Sequence, residues 1–157
     1  MALLLVRHAK AGNRFDWDGE DVDRPLSTAG RRQAAGLVDE LAPYSVKRVL
    51  SSPFRRCVET VGPLAAARGI EIELAVDLAE GESPLAARLA RAILAKGDEA
   101  ALCTHGDVVP EVLWRLVARD RFLLPASKDL RCAKGSAWVL ESDDSRVVRA
   151  TYLPPRR

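Results

Sequence analysis

Two histidines, the only ones among the 157 residues, each follow a short apolar run. His8 comes directly after Arg7 at the end of the apolar residues 3–6, and His105 comes after residues 100–104. Arginine forms a planar fork that fits phosphate or carboxylate, and imidazole serves as a base or a nucleophile near neutral pH. A single histidine after a strand is more often structural than catalytic, so the functional interpretation depends on whether the two histidines meet.

The apolar runs before both histidines indicate buried strands that end in functional loops. In open α/β sheets, ligands bind beyond the carboxyl ends of the strands, so two such strands can bring both imidazoles into one pocket. Between them, residues 48–60 indicate a third strand that runs into a helix, with Pro53 in the first turn of that helix. This places Arg56 about one turn into a helix whose N-terminus already favours anions.

These segments, with one more, match the signature motifs of a known family. In chain order the motifs are Arg7-His8-Ala9, Leu26-Ser27-Thr28-Ala29-Gly30-Arg31-Arg32-Gln33-Ala34, Ser52-Pro53-Phe54-Arg55-Arg56-Cys57-Val58-Glu59-Thr60 and Thr104-His105-Gly106. Together they resemble the histidine phosphatase superfamily, also called the phosphoglycerate mutase-like family. The short chain and the form Arg7-His8-Ala9-Lys10 are most similar to its small SixA-like phosphohistidine phosphatases, and also to the phosphatase domain fused to some bacterial Nudix hydrolases.

The resemblance implies a role for each of these side chains. It assigns the catalytic nucleophile to His8 and phosphate binding to Arg7, Arg56 and His105, with His105 also counted among the catalytic residues. It assigns general acid catalysis to a carboxylate that follows the third motif. The neighbouring Arg55 is expected to be a surface charge, because the family motif places the phosphate ligand at the next arginine.

Glu80 is the first candidate for the general acid. The residues Leu78-Ala79-Glu80 match the family pattern Leu-x-Glu at this point of the chain. A carboxyl group there would protonate a poor alkoxide leaving group and then activate water. Glu82 is a rival, and a third interpretation is that both residues are solvated loop carboxylates.

Two histidines and two arginines suit a phosphoryl group, whose transfer depends mostly on positioning and on neutralising the equatorial oxygens. No metal or other cofactor is expected, because guanidinium and imidazole groups supply the positive charge. His8 would attack phosphorus in line and carry the group covalently until water completes the hydrolysis. The expected enzyme is a phosphatase that hydrolyses phosphoric monoesters or phosphohistidine.

The expected substrate follows from the access to the pocket. Larger family members insert a long lid after the third motif, whereas here Glu82 leads almost directly into a helix. The more open pocket favours a phosphorylated protein side chain or a nucleotide over a small sugar phosphate, and a phosphohistidine protein is the preferred substrate. The alternative is a small-molecule or nucleotide phosphatase, which a basic rim of Lys128, Arg131 and Lys134 would favour. A third hypothesis is a catalytically silent regulatory module that binds phosphate without turnover.

Length and composition limit the other classes of function. The chain is expected to form one domain over residues 1–157, and its 48% apolar and 29% charged content is that of a globular protein. A net charge of +2 is too small to indicate a nucleic-acid partner, and no apolar stretch reaches the roughly 20 residues of a membrane span. The three scattered cysteines favour a cytoplasmic location, with Cys103 as a buried thiol rather than a nucleophile. The oligomeric state is not readable from the sequence.

Strands that alternate with helices indicate an α/β fold of three layers, α/β/α, with a central mixed, mostly parallel sheet and no long lid insertion. The last two strands are joined by a short turn and are expected to be antiparallel. An edge strand is expected at residues 70–74 because apolar and charged residues alternate there. The Gly62-Pro63 pair predicts a kink or a short break in the preceding helix.

Residues 9–25 have no clear periodicity and are expected to form a loop over the mouth of the pocket. This loop offers a local basic surface, formed by Lys10, Arg14 and Arg24. Its aromatic residues Phe15 and Trp17 are expected to pack the loop down rather than to contact a substrate.

Overall fold

A six-stranded sheet with four helices forms the core of the computed structural model, which describes residues 1–156. The strands are β1 (Ala2–Arg7), β2 (Arg48–Ser51), β3 (Ile72–Leu74), β4 (Ala100–Thr104), β5 (Ala137–Asp143) and β6 (Arg146–Leu153). The helices are α1 (Thr28–Glu40), α2 (Arg55–Arg68), α3 (Ser83–Lys96) and α4 (Val108–Asp120). None of the helices within these residues is long and apolar enough to span a bilayer.

The order of the strands brings the two histidines to neighbouring positions. The order is β3-β2-β4-β1-β5-β6, in which the first four strands are parallel and β5 is antiparallel to both β1 and β6. Arg7 at the end of β1 pairs with Thr104 at the end of β4. His8 and His105 therefore leave the sheet side by side. The mixed, mostly parallel sheet and the edge position of β3 confirm the predictions.

The sheet lies between two helical layers. Along β1, Leu3 and Leu5 pack on the side of α3 and α4, while Leu4 and Val6 pack on the side of α1 and α2. All four side chains are at most 1% exposed. Burying a side chain of this size contributes roughly 1.5–3 kcal/mol, so β1 is held firmly on both faces. The carboxyl end of β1, which carries the site, is thus rigidly placed.

Helix α2 differs from the prediction at its start and in its middle. The carbonyl oxygen of Phe54 accepts the N–H groups of Cys57 and Val58, so helical hydrogen bonding begins there. Pro53 therefore precedes the helix, and Arg56 is its second residue rather than one turn inside it. Of the predicted kink or short break at Pro63, the break is wrong, because the helix continues to Arg68. Burial of its apolar face outweighs the single backbone hydrogen bond that Pro63 cannot make.

The loop that follows β1 is packed only in part. The Trp17 indole N–H donates to the carbonyl oxygen of Glu20 at 2.8 Å, which holds this side chain against its own loop as expected. Phe15 is 89% exposed, so its expected packing is wrong. The loop is instead fixed by Arg24, which is 6% exposed and whose side chain donates to Asp21 and to the carbonyl of Gly12.

Candidate active site

His8 lies at the carboxyl end of β1 and is 6% exposed. Its backbone N–H donates to the Thr104 carbonyl at 3.0 Å, which ties it to the neighbouring strand. Nδ1 of the ring lies 2.8 Å from the carbonyl oxygen of Ala9. Because a carbonyl oxygen can only accept, Nδ1 carries the ring proton and Nε2 keeps a free lone pair. Nε2 is therefore the nitrogen that can act as a nucleophile.

The surroundings keep this ring neutral. The pKa of His8 is lowered from 6.5 to about 3, chiefly by burial and further by the nearby charges of His105, Arg56 and Arg7. The hydrogen bond with Ala9 acts in the opposite direction but does not compensate. An imidazole with so low a pKa is unprotonated at neutral pH, so its lone pair is available.

The guanidinium of Arg7 lies against Gly106, the residue after the second histidine. A Cβ atom at Gly106 would be 2.5 Å from Cζ and 2.6 Å from Nε of Arg7, so only glycine allows this approach. One terminal nitrogen of Arg7 donates to the carbonyl oxygen of Cys132 at 2.6 Å. Its Nε is buried and has no hydrogen-bond partner among residues 1–156. Arg7 is thus held in place by one hydrogen bond, and its Nε remains available to an anion.

His105 lies next to His8, with the two ring centroids 5.4 Å apart and 1% of the His105 surface exposed. Nε2 of His105 is 2.8 Å from the hydroxyl of Ser52 and 3.5 Å from the sulfur of Cys57. Nδ1 is buried without a partner in the described part of the chain. The ring of Phe54 packs edge-on at 4.8 Å and completes its surroundings. The sequence pattern gave no signal for the contact with Ser52, because the two residues are 53 positions apart.

Arg56 is completely buried at the start of α2. Its terminal nitrogens donate to the carbonyl oxygen of Asp21 at 3.0 Å and to the carboxylate of Asp21 at 3.2 Å, and one lies 3.7 Å from Glu80. Its Nε has no partner within residues 1–156. Burial acts to raise the pKa of Asp21, but a hydrogen bond from Arg24 and the charge of Arg56 lower it. Asp21 contacts the site and was missed by the sequence analysis, since it is one of four aspartates in this loop and no local pattern distinguishes it.

A cavity of ≈ 430 Å³ opens at this edge of the sheet. It is lined by Arg7, His8, Ala11, Gly12, Asn13, Arg14, Phe15, Arg24, Glu80, Gly106, Asp107 and Lys134. The fully buried Arg56 and His105 lie behind this wall rather than on it. The loop of residues 9–25 thus covers part of the mouth, as expected.

The structure brings Glu80, and not Glu82, to the cavity. Glu82 is the N-terminal cap residue of α3. The backbone N–H of Gly81 between them donates to the Asp107 carboxylate at 2.8 Å, which holds the loop against the start of α4. With its side chain 43% exposed, Glu80 has access to both the cavity and solvent.

The second motif, at the start of α1, contacts the backbone of the segment that follows His8. A Cβ atom at Gly30 would lie 1.8 Å from the carbonyl oxygen of Lys10, so the helix can approach this backbone only through a glycine. The same carbonyl accepts from the N–H and the hydroxyl of Ser27, and the N–H of Lys10 donates to the Gln33 side chain at 3.0 Å. The motif therefore fixes the loop that continues from the nucleophile.

Only Lys134 of the three expected rim cations borders the cavity; Lys128 and Arg131 are exposed and do not line it. Arg55 is a surface charge as expected, since it is paired with Glu59 at 3.1 Å.

The cysteines are free, and burial raises the pKa of the Cys103 thiol well above its usual value, which argues against a nucleophilic role. Within residues 1–156, no three His, Cys, Asp or Glu side chains are grouped so as to hold a metal ion.

Comparison with known proteins agrees with this arrangement. Residues 3–84 match the model of the histidine phosphatase superfamily (branch 1). The 8-oxo-(d)GTP phosphatase of Mycolicibacterium smegmatis is 32% identical over 159 aligned positions, which cover 98% of this chain and 48% of that protein. The chain thus spans about half the length of this curated relative.

Solved structures share the fold along its whole length. A protein from Agrobacterium tumefaciens assigned as the phosphohistidine phosphatase SixA has a TM-score of 0.78 and 26% identity, with 98% of this chain and 97% of that chain covered. The alpha-ribazole phosphatase of Shigella flexneri has a TM-score of 0.73 with 95% of each chain covered, and at 17% identity this likeness concerns the fold alone.

The family match covers just over half of the chain and contains three of the four motifs. The fourth, around His105, lies beyond the match, and the structure places it beside His8. The chain belongs to the histidine phosphatase superfamily.

Proposed function

We propose that the protein is a phosphatase that works without a metal, in two steps, through a phosphohistidine at His8. The observation that carries this proposal is the hydrogen bond between Nδ1 of His8 and the Ala9 carbonyl, together with the low pKa of His8. It leaves a neutral ring whose Nε2 lone pair is free, on a cavity wall shared with Arg7. Nε2 attacks phosphorus in line, and water then hydrolyses the N–P bond.

Three buried donors support the proposed phosphate site. Nε of Arg7, Nε of Arg56 and Nδ1 of His105 have no hydrogen-bond partner within residues 1–156. A buried donor without a partner costs about 1–3 kcal/mol, and native proteins carry few of them. Arg7 lines the cavity, so a nonbridging oxygen of a phosphoryl group there would accept from its Nε and the charge of the group would be spread, while Nε of Arg56 and Nδ1 of His105 lie behind this wall.

Glu80 is the proposed general acid and base. It lines the cavity with His8, and its distance of 3.7 Å from Arg56 places a carboxylate next to the proposed phosphate ligand. It would protonate an alkoxide leaving group in the first step and remove a proton from water in the second. Its exposed side chain allows proton exchange with solvent between the steps.

Two classes of substrate are supported by different observations. The open cavity and the fold shared with a SixA-assigned protein at 26% identity support a phosphohistidine protein. The relative that is a phosphatase of 8-oxo-(d)GTP, and the cation Lys134 on the cavity wall, support a nucleotide. A panel of phosphohistidine proteins and nucleotides, compared by kcat/KM, separates the two.

The test of the chemistry is phosphate release from p-nitrophenyl phosphate in the presence of EDTA, by the wild type and by His8→Ala. A rapid acid-free quench of the wild type is expected to trap an acid-labile phosphoprotein that His8→Ala lacks. Equal turnover by both proteins would overturn His8 as the nucleophile. Binding of vanadate without turnover of any ester would instead support the silent phosphate-binding module.

A further inference from the structure

The mouth of the catalytic cavity carries cations besides Arg7, and the carboxylates of Glu80 and Asp107 line the same cavity. Arg14 and Lys134 line it beside His8, and Lys10 lies on the adjoining surface next to Lys134. Among residues 1–156, no carboxylate oxygen lies within 4.0 Å of any of these three cations. These charges are additional to Arg7 and Arg56 in the proposed phosphate site.

Lys134 precedes a residue that is hydrogen-bonded to the backbone of the nucleophile. The next residue, Gly135, donates its N–H to the carbonyl oxygens of His8 at 3.0 Å and Arg7 at 3.2 Å. Gly135 has φ of +83°, and a Cβ atom there would lie 3.0 Å from Cδ of Gln33, so the turn depends on a glycine. The backbone of Lys134 is therefore fixed one residue from the main-chain contact with His8.

One buried amide links the two lysines. The Oε1 atom of Gln33 accepts from the Lys10 N–H at 3.0 Å, and its Nε2 donates to the Lys134 carbonyl at 3.2 Å. Gln33 is 9% exposed, so this link is shielded from solvent. The amide holds two lysines on adjacent loops although they are of like charge.

The cations around Lys134 repel its positive charge. The pKa of Lys134 is lowered by partial loss of hydration and by the charges of Arg7, Arg24, Arg14 and Lys10. Like charges brought this close repel, and a bound anion relieves the repulsion. In an in-line displacement the leaving group lies opposite His8, toward the mouth, because buried side chains occupy the inner side.

We propose that Lys134, with Arg14 and Lys10, forms a second phosphate site that binds the leaving phosphate of a substrate with two adjacent phosphates. The inference rests on the proposed function, because it places the terminal phosphoryl group at His8. Beyond Lys134, a second cavity of ≈ 810 Å³, lined in part by Lys10, Arg32 and Ala133, has room for the remainder of such a substrate. The substrate class is therefore a diphosphate, such as a nucleoside diphosphate or inorganic pyrophosphate.

The reaction balances with water as the only co-reactant. The Nε2 lone pair of His8 forms the N–P bond to the terminal phosphorus, and the bond from phosphorus to the bridging oxygen breaks, with its electron pair kept by the leaving phosphate. Water then attacks phosphorus, the N–P bond breaks with its pair returned to Nε2, and a proton of that water passes to Glu80. One terminal phosphate is released per water consumed.

The test is a binding measurement that needs no turnover. Isothermal titration calorimetry measures the dissociation constants of two pairs of ligands for the folded wild type and variants. The first pair is a nucleoside methylenediphosphonate and the nucleoside monophosphate. The second pair is methylenediphosphonate and inorganic phosphate. The diphosphonate form is expected to bind at least tenfold more tightly than its single-phosphate counterpart. In Lys134→Gln this preference should fall below threefold, whereas the matched surface variant Lys128→Gln should keep it. A larger preference in the nucleoside pair than in the inorganic pair assigns the site to nucleotides, and equal preferences assign it to inorganic diphosphate.

Equal affinity of the wild type for one and two phosphates would overturn the second site, as would an unchanged preference in Lys134→Gln. Failure of the proposed function has a different result. In that case the wild type and His8→Ala would hydrolyse p-nitrophenyl phosphate equally fast, while the wild type would still prefer the ligand with two phosphates. Arg14→Gln provides an independent check, since it removes another cation that lines the cavity and should also weaken the preference.

Discussion

The hydroxyl oxygen of Ser52 lies 2.8 Å from Nε2 of His105, and both side chains are almost completely inaccessible to solvent. The backbone N–H of Phe54 donates to the same hydroxyl at 3.3 Å, so the hydroxyl hydrogen is free to point at Nε2. We infer that Ser52 donates to Nε2, which holds the proton of the ring on Nδ1, the nitrogen without a partner within residues 1–156. Ser52 thus positions His105 as a donor toward the proposed phosphate.

Ser52→Ala should therefore weaken catalysis through His105. Loss of a buried hydrogen-bond partner costs about 1–2 kcal/mol, which corresponds to a decrease in kcat/KM of about 5- to 30-fold. The measurement is steady-state hydrolysis of p-nitrophenyl phosphate. In a His105→Ala background the same substitution should have almost no further effect, because the positioned group is gone.

The matched control is Ser136→Ala. Ser136 is also buried, and its hydroxyl has no hydrogen-bond partner within residues 1–156. Its removal should leave kcat/KM within about twofold of the wild type. A full loss from Ser52→Ala that persists in the His105→Ala background would contradict the positioning role.

The low pKa of His8 makes stability depend on pH in a defined direction. The ring titrates at about 3 in the folded protein and near 6.5 when unfolded, so between these values the unfolded chain binds more protons. The contribution of His8 to stability is complete above pH 6.5 and is lost as the pH falls toward 3. Between pH 7 and pH 5 the expected loss is about 2 kcal/mol.

Urea denaturation of the wild type and of His8→Gln, at pH 7 and at pH 5, measures this contribution of His8 to the free energy of unfolding. Glutamine does not titrate, so the difference in unfolding free energy between the two proteins should change by about 2 kcal/mol over this interval. The ordinary acid sensitivity of the carboxylates cancels in the comparison. Parallel behaviour of the two proteins would show that His8 titrates alike in the folded and unfolded states.

Local sequence patterns were sufficient to predict the strands and the edge of the sheet at which the candidate site lies. Apolar runs such as residues 3–6 predict buried strands, and parallel strands must present their carboxyl ends together, so the meeting of His8 with His105 followed from topology. The start of α2 was misplaced, because Pro53 fits both the first turn of a helix and the residue before its cap. Only the observed carbonyl contacts of Phe54 distinguish these cases.

Side-chain contacts over long sequence distances were not predictable. Asp21 was one of four similar aspartates in a loop, and only the fold shows that it alone bonds to Arg56, 35 residues away. Lys134 was expected in a basic rim with Lys128 and Arg131, and only the fold shows that Lys134 lines the cavity while the other two do not. A pattern gives the type of each side chain, but the direction in which a loop side chain points depends on tertiary contacts.

Glu80→Gln should discriminate between substrates by the leaving group. An alkoxide needs a proton, so hydrolysis of an alkyl phosphate should fall by about 100-fold, in the range of general acid catalysis. Nitrophenolate leaves without protonation, so the kcat for p-nitrophenyl phosphate should fall by less than about tenfold. Glu82→Gln is the matched control, since Glu82 caps α3 outside the cavity and its loss should change neither rate. Equal losses with both substrates would show that Glu80 does not act as the acid.

Gly106→Ala tests whether the Arg7 guanidinium binds the substrate. The new Cβ atom would meet Cζ of Arg7 at 2.5 Å, and the guanidinium, as the end of a flexible side chain, must move away. We expect KM for p-nitrophenyl phosphate to rise about tenfold, the value of one charge-assisted contact, while the protein stays folded. The control is Gly62→Ala in α2, where nothing lies within 4 Å of the added atom, so it should raise stability by about 0.5–1 kcal/mol and leave KM unchanged. An unchanged KM in Gly106→Ala would mean that the observed position of Arg7 is not needed for binding.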